Sequence, residues 1–377
     1  MAAAIESIGR SKKELRRFFD VADRVYAGDP NWVPPLRSDV ALVFAQKNPF
    51  WEHAEIQLFV ATKDGKDAGR VAAILDRAHN EFHGEKTVFF GFFESANDPE
   101  VAGALFDAVA GWGKSRGMSN LRGPVNPSLN DEAGLLIDGF DSPPVLMMTY
   151  NPRYYVELCE KAGFCKAKDL LAYWFDIGKK PLERLTRVAN RLRKRETDIV
   201  VRTVSKGGLA KDLAKIREVY NEAWEKNWGF VPMTAAEMDY MAKRLKPLVV
   251  EELLWLAEAR KPDGTLEPVA FMLNLPDYNL AIGKARGSLL PFGWLKFLLA
   301  LPKIKTLRVL TLGIKKPYRM RGIQSIMMAD SLQFLLKKGY TGCEVSWLLE
   351  DNDLVINAVN LWGGRLYKTY RIYDRPI

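Results

Sequence analysis

Cysteine and histidine are scarce in this chain, with three of each among 377 residues. Cys159, Cys165 and Cys343 form no close pair, so neither a disulfide framework nor a structural zinc site is expected, and a reducing compartment suits the chain. His79 and His83 stand one helical turn apart, but no third ligand follows and Gly84 comes at once. That predicts a structural role and no metal. No apolar run reaches the ~20 residues that a transmembrane helix needs, and the first residues hold no apolar signal core. The expectation is a cytoplasmic protein, at most peripheral to a membrane. Lys and Arg exceed Asp and Glu by nine. No basic block interleaved with aromatics stands out, so nucleic acid is not an expected partner. The excess suits an anionic membrane surface or a phosphorylated small molecule. The densest basic stretch, Arg184 to Arg195, carries Leu185, Val188 and Leu192 and reads as the solvated side of a helix.

What is present is one series of elements that occurs twice. In the first half, periodicity predicts a helix over Ser11–Tyr26 and strands over Ile56–Thr62, Ala68–Asp76 and Val88–Glu94. A helix over Glu100–Gly117 buries Ala102, Leu105, Phe106, Val109 and Trp112 on one face. A strand at Asn120–Pro124, a helix at Pro152–Ala162 and a strand at Leu170–Asp176 complete it. The second half repeats the order: strand Ile199–Val204, helix Leu209–Lys226, and strands Leu254–Ala259, Pro268–Leu275 and Arg308–Ile314. Helix Ser325–Lys338, strand Cys343–Leu348, helix Leu354–Leu361 and strand Thr369–Tyr373 follow. Asn151 precedes Gly163 by 12 residues, as Asn352 precedes Gly364, and each pair brackets the last helix of its half. These matches predict a duplication, with residues 1–177 and 178–377 as its two domains and the turn at Gly178–Pro181 opening the connection.

The strongest local signal is Thr311-Leu-Gly-Ile-Lys-Lys-Pro-Tyr-Arg-Met-Arg-Gly-Ile-Gln-Ser-Ile326. A strand feeds a helix N-terminus through a turn that carries Arg319, Arg321 and Gly322. Free N–H groups and the positive end of the helix dipole suit a pyrophosphate, Gly322 permits close approach, and the arginines add charge-assisted contacts. Here the sequence resembles the GNAT superfamily of CoA-dependent N-acyltransferases, whose loop reads Arg/Gln-x-x-Gly-x-Gly/Ala. Arg319-x-x-Gly322-x-Gln324 matches at two of three positions, and Gln324 departs from the family's small residue. The resemblance implies a mixed α/β fold of two tandem GNAT-like domains, each a mostly antiparallel mixed sheet flanked by helices. It also implies that Thr311, Leu312, Gly313 and Ile314 lie along pantetheine, with Arg319, Arg321, Gly322, Ile323, Gln324 and Ser325 on the pyrophosphate. Asn352, after a strand and before the last helix, matches the asparagine that holds the pantetheine arm; helix capping is the alternative. Tyr367 and Tyr370 fall where such enzymes place the tyrosine that protonates the departing thiolate.

The first half offers Phe93-Glu-Ser-Ala-Asn-Asp-Pro99 at the equivalent turn, with no Arg-x-x-Gly, so it is expected to shape an acceptor site without binding CoA. Its own dense polar loop runs from Gly123 to Gly134, with Asn126, Asn130 and Glu132 at a strand end where α/β folds place ligands. This loop, Asn48-Pro-Phe-Trp-Glu-His53 and the tail from Gly363 to Tyr373 resemble the bacterial ceramide synthase-like family over essentially the whole chain. That resemblance implies transfer of a fatty acyl group from acyl-CoA to a sphingoid-base amine. Independently, the run Leu289–Leu301 is almost wholly apolar, too short to span a bilayer, and followed by Lys303 and Lys305. It suits an interfacial segment or the rim of an acyl tunnel, with Trp294 and Phe297 as substrate contacts. Glu350 or Glu132 is the expected general base, and Tyr367 or Tyr370 the acid. A non-catalytic acyl-CoA- or lipid-binding protein and a small-molecule acetyltransferase are the alternatives.

Overall fold

The computed structural model describes residues 2–377. The first half comprises β1 (Ala4–Ile8), α1 (Lys12–Val25), α2 (Arg37–Val43), β2 (Ala54–Lys63), β3 (Lys66–Asp76), α3 (Arg77–His83) and β4 (Thr87–Ser95). It continues with α4 (Pro99–Lys114), β5 (Asn120–Gly123), β6 (Val125–Asn126), β7 (Glu132–Ala133), β8 (Leu135–Asp138), α5 (Tyr154–Lys161) and β9 (Cys165–Asp176). The second half begins with α6 (Lys179–Arg195), β10 (Ile199–Thr203), α7 (Leu209–Trp224), α8 (Ala235–Leu245), β11 (Leu254–Arg260) and β12 (Leu266–Pro276). Then come α9 (Asn279–Ala285), α10 (Gly293–Ala300), β13 (Thr306–Ile314), α11 (Ile323–Lys337), β14 (Gly342–Leu349), α12 (Asp353–Leu361) and β15 (Arg365–Pro376). The element order of the first half recurs in the second, except that β6, β7 and β8 occur only in the first half and α6 only in the second. The extra helices between the third and fourth strands of each half, α3 and α9–α10, even fall at the same place.

Local chemistry accounts for these elements. Ser11 and Glu14 form a capping box that starts α1, whose buried face is Phe18, Val21 and Ala22. Asp98 caps α4 and Pro99 fills its first position. Val101, Leu105, Phe106 and Val109 of α4 are fully buried, each contributing roughly 1.5–3 kcal/mol through burial. β3 is buried without a break from Gly69 to Asp76, because helices cover both faces of the sheet and polar alternation is lost. The basic stretch from Arg184 lies on α6, which packs Leu185, Ala189 and Leu192 against Ile326 and Ala329 of α11.

One sheet of 13 strands crosses both halves, in the order β1-β2-β3-β4-β5-β15-β9-β14-β13-β12-β11-β10, with β8 pairing β15. The last strand of each half is exchanged. β15, from the second half, pairs antiparallel with β5 and β9, while β9, from the first half, pairs antiparallel with β14. The boundary predicted at 177/178 falls between β9 and α6, yet one sheet passes straight through it. A chain cut there strips each half of a central strand and leaves unpaired edges.

Candidate active site

In the second half, β13 and β14 run parallel only over Thr306–Val309 and Gly342–Val345. Beyond those residues the strands part, and the backbone of Thr311–Ile314 pairs with β12 alone. The divergence has a local cause. Leu273 pairs with Thr311 and Asn274 with Val309, so Leu310 is an extra residue, a β-bulge that twists β13 away from its neighbour. Gly313 sits where a Cβ would come within 2.5 Å of the Trp224 ring, so glycine lets α7 lie directly on this strand.

At the apex of the divergence lies a buried polar cluster. Arg308 and Glu344 are register partners and share a face. The Arg308 guanidinium donates to Ser346 Oγ (2.9 Å) and Ser346 O (3.2 Å), and reaches across to the first half, donating to Leu146 O (3.0 Å) and Met147 O (2.7 Å). Ser346 Oγ donates in turn to Glu344 Oε1, while Glu344 Oε2 has no hydrogen-bond partner. Burial pushes the Glu344 carboxyl up to about 7, against the pull of Arg308 and the Ser346 hydrogen bond. Lys368, also buried, donates to Gly139 O and Ser142 O (2.8 Å). Burial lowers its pKa, although Glu344 favours its charge.

Two of the predicted catalytic residues lie within electrostatic reach of this cluster. Glu132, paired with Asn126 in a short β6–β7 ribbon, feels Arg308 and Arg244 of the second half electrostatically. Burial, reinforced by Asp131, pushes its carboxyl up to about 7, a value suited to a base working near neutral pH. Tyr370 is fully buried, its hydroxyl has no hydrogen-bond partner, and it lies within electrostatic reach of Glu344 and Arg308. Burial and Glu344 raise its pKa well above the ordinary value, so it stays a neutral phenol. Tyr367 also has an unpartnered hydroxyl, and its ring meets Trp174 edge-on at 5.7 Å. Glu350 lies elsewhere. It is ion-paired to Lys166 (2.5 Å) and accepts from the Asp169 N–H (3.1 Å), tied to β9 rather than to the cluster.

The turn between β13 and α11 forms as predicted, but its arginines bond protein groups. Lys316–Arg321 is a 3-10 turn, Gly322 adopts φ 74°, and no side chain caps α11, so its first-turn amides have no side-chain acceptor. Arg319 folds back, donating to Ile314 O (3.2 Å) and Ala223 O (2.8 Å). Arg321 is ion-paired to Glu196 and to Asp198 (2.9 Å to Oδ2). Arg321→Glu therefore places a third carboxylate against that pair and tests the corner between α6 and β10 before it tests phosphate binding. Gly322 is required locally too, since a Cβ would come within 2.7 Å of Leu192 and a positive φ strains any L residue. Ile323 and Ser325 are buried in α11. Two acceptors nearby, Thr311 Oγ1 and Gln324 Oε1, are buried without partners. Leu312 and Ile314 pack partly into the core beneath. Asn352 caps α12, accepting from the Val355 N–H (3.4 Å).

The first half closes the gap that the second half leaves. β4 and β5 also run parallel briefly, over Thr87–Phe89 and Asn120–Arg122, and β4 is also irregular, near Phe92 (φ 51°). Here Asn126 Oδ1 accepts the Phe92 N–H at 2.6 Å, and a Cβ on Gly91 would come within 1.8 Å of Val125 O. The β6 segment thus fills the space between the parting strands. Asn130 is likewise engaged, donating to Val231 O (3.1 Å) and accepting from Tyr220 Oη (2.9 Å), which ties the loop to the second half. Asn151, the counterpart of Asn352, does not cap its helix; it pins β8 by bonding both backbone groups of Leu136.

All three histidines gather near this junction. The rings of His79 and His83 meet at 4.5 Å, tilted by 41°, and the two side chains bond Glu85 and Phe230 O respectively. His53 bridges the halves, with Nδ1 on Asp76 (2.9 Å) and Nε2 on Glu237 (3.1 Å). Those two hydrogen bonds push its pKa up to about 10. Its folded value exceeds the unfolded one, near 6.5, so its contribution is complete below about 6.5 and is lost as pH rises toward 10. His53→Gln should therefore lower the thermal midpoint at pH 6 but not at pH 10. Equal losses at both pH values would show that the charge of His53 does not tie the halves.

Sheet order and the parting parallel strands define the GNAT fold, built twice in one chain, with the uncapped helix in the second half only. Among solved structures, the chain is similar to a tandem GNAT protein from the clavulanic acid biosynthesis pathway, with TM-score 0.59 and 11% identity over 99% of this chain and 98% of that one. It is also similar to a GCN5-related N-acetyltransferase from Sphaerobacter thermophilus, with TM-score 0.54 and 12% identity over 99% and 95%. No protein-family model matches the sequence. The bacterial ceramide synthase of Caulobacter vibrioides (strain NA1000 / CB15N) is 37% identical, over 98% of this chain and 96% of its own length. Protein YghO of Escherichia coli (strain K12) is 35% identical, over 97% and 94%. The chain belongs to the bacterial ceramide synthase family.

Proposed function

We propose that this protein is an N-acyltransferase that moves a long fatty acyl group from acyl-CoA to the amine of a sphingoid base. The observation that carries the reading is the buried Arg308–Ser346–Glu344 cluster, with Glu132 and Tyr370 in electrostatic reach, at the point where β13 and β14 part. In this reading residues 178–377 take the acyl-CoA, a substrate, and residues 1–177 shape the acceptor side. Pantetheine follows Thr311–Ile314, where the unpartnered Thr311 Oγ1 is free to accept one of its amide N–H groups, and the pyrophosphate accepts from the backbone N–H groups of the uncapped turn at Gly322–Ser325. The neutral amine attacks the thioester carbonyl; the C–N bond forms and the C–S bond breaks. Glu132 accepts the amine proton, and a β13 amide near the bulge stabilises the oxyanion. The Tyr370 phenol, neutral at pH 7, gives its proton to the leaving sulfur, which departs as the thiol, and the amine proton taken by Glu132 restores the phenol.

The test is incubation of the purified chain with palmitoyl-CoA and sphinganine, following amide by mass spectrometry and CoA by thiol titration. Amide and thiol should appear in equal amounts and require both substrates. Binding of palmitoyl-CoA with neither product would indicate a carrier, and preference for acetyl-CoA with small polar amines a small-molecule acetyltransferase.

A further inference from the structure

Between Asp277 and Asp330 the sequence holds no acidic residue but ten Lys and Arg. The first part of that stretch is the insertion between β12 and β13. Phe297 stacks on Tyr278 (6.5 Å, 14°), and Ala281, Ala300 and Ile304 form a small core that holds α9 against α10. This core spends few of the segment's apolar side chains. Seven of the fourteen large apolar residues exposed among the described residues lie here: Leu280, Leu290, Phe292, Trp294, Leu295, Leu298 and Leu299. Leu290 is 79% exposed and Phe292 71%, values no folding argument explains.

Beside this apolar face opens a 240 Å³ cavity lined by Lys284, Arg286, Ser288, Leu290, Phe292 and Lys296. Its shape is set by the backbone. Arg286 and Gly287 both adopt positive φ, reversing the chain, and a Cβ on Gly293 would come within 1.9 Å of Ser288 O. Lys284, Arg286 and Lys296 are solvent-exposed and form no ion pair among the described residues, so their charge is free to meet an anion from outside. Three unpaired cations around a cavity, next to exposed leucine, phenylalanine and tryptophan, match a surface that is anionic outside and apolar beneath.

We propose that this insertion docks the protein on an anionic phospholipid bilayer, with α10 and the Leu290–Phe292 turn entering the acyl boundary and a lipid phosphate held by Lys284, Arg286 and Lys296. The insertion is anchored next to the buried cluster, since Asp277 at its base accepts from the Leu146 N–H (2.9 Å), and Leu146 O in turn accepts from Arg308. A lipid leaving the bilayer here therefore arrives beside the candidate active site. The docking argument stands on exposure and charge and does not depend on the acyl-transfer chemistry.

The experiment is co-sedimentation of the full chain with vesicles of phosphatidylglycerol and phosphatidylcholine, against phosphatidylcholine alone. Wild type should partition onto the anionic vesicles, less so as salt is raised. Lys284→Gln/Arg286→Gln/Lys296→Gln should weaken that partition about a hundredfold, at roughly fivefold for each cation. Phe292→Ser/Leu299→Ser should weaken it with the anionic preference retained. Equal partition of wild type and the triple variant, or no partition of wild type, would overturn the proposal. So would protection of the cavity by millimolar inorganic phosphate with no vesicle binding, which would mark a soluble-phosphate site. Amide formation from detergent-dispersed substrates, measured on the same variants, should equal wild type. Wild-type docking without amide formation would sink the acyl-transfer reading alone, and amide formation by a wild type that does not dock would sink the docking proposal alone.

Discussion

Arg308→Met should destabilise the protein by about 3–5 kcal/mol, the cost of removing one partner from a buried charged network. Arg308 donates four hydrogen bonds, two to Ser346 and two to carbonyls of the opposite half, so its loss orphans acceptors on both sides of the junction. It also leaves Glu344 without the cation that opposes its burial, which should push that carboxyl higher still. Denaturant unfolding measures the loss. The second arm is the double variant Arg308→Met/Glu344→Gln, which removes both charges and should recover part of the stability, because an uncompensated buried charge costs more than an absent pair. A single variant within about 1 kcal/mol of wild type would mean that this cluster does not hold the halves together.

Glu132→Gln should lower kcat by about 10²–10⁴, the range for a general base, while leaving the affinity for acyl-CoA unchanged. The charge is the only thing removed, and Glu132 belongs to the half without the Arg-x-x-Gly turn. Its pH dependence adds a second readout. With the carboxyl held at about 7, the wild-type rate should rise as pH rises through 7, because the proton-accepting form is the ionised one. The variant should lack that limb. Stability moves the opposite way: the folded pKa lies above the unfolded 4.5, so stability falls as pH rises from there through 7. Glu132→Gln should therefore be relatively more stable than wild type at pH 8. If Glu344→Gln shows these changes and Glu132→Gln shows none, the base is Glu344.

Much of the fold is legible in the sequence because its elements rest on local chemistry. The apolar face of α4, the strand–turn–helix around Gly322 and the repeated element order can be read off residue spacing and cap residues alone. So can the apolar insertion, since nothing else in the chain is so rich in leucine. Short or weakly patterned pieces, such as β1, α2 and α8, escape that reading. The two residues at the centre of the cluster, Arg308 and Glu344, lie in segments predicted as strands. A charged residue facing inward on an apolar strand was the signal available for them. Their pairing was not, because parallel neighbours 36 residues apart in sequence carry no local mark of register.

By itself, the sequence determined two halves of one element order, an Arg-x-x-Gly turn before the central helix in only one of them, and an apolar basic insertion. Periodicity, capping and composition act within a few residues, so such features need no knowledge of what packs against them. Only the tertiary structure decided that the last strands are exchanged between halves, that β6 fills the first half's gap, and that Arg321 is held by Glu196 and Asp198. It also decided which carboxylates are raised toward neutrality, since that depends on burial and on charges brought from the other half. Strand partners, desolvation and ion pairs are set by distance in space, and residues far apart in the chain supply them.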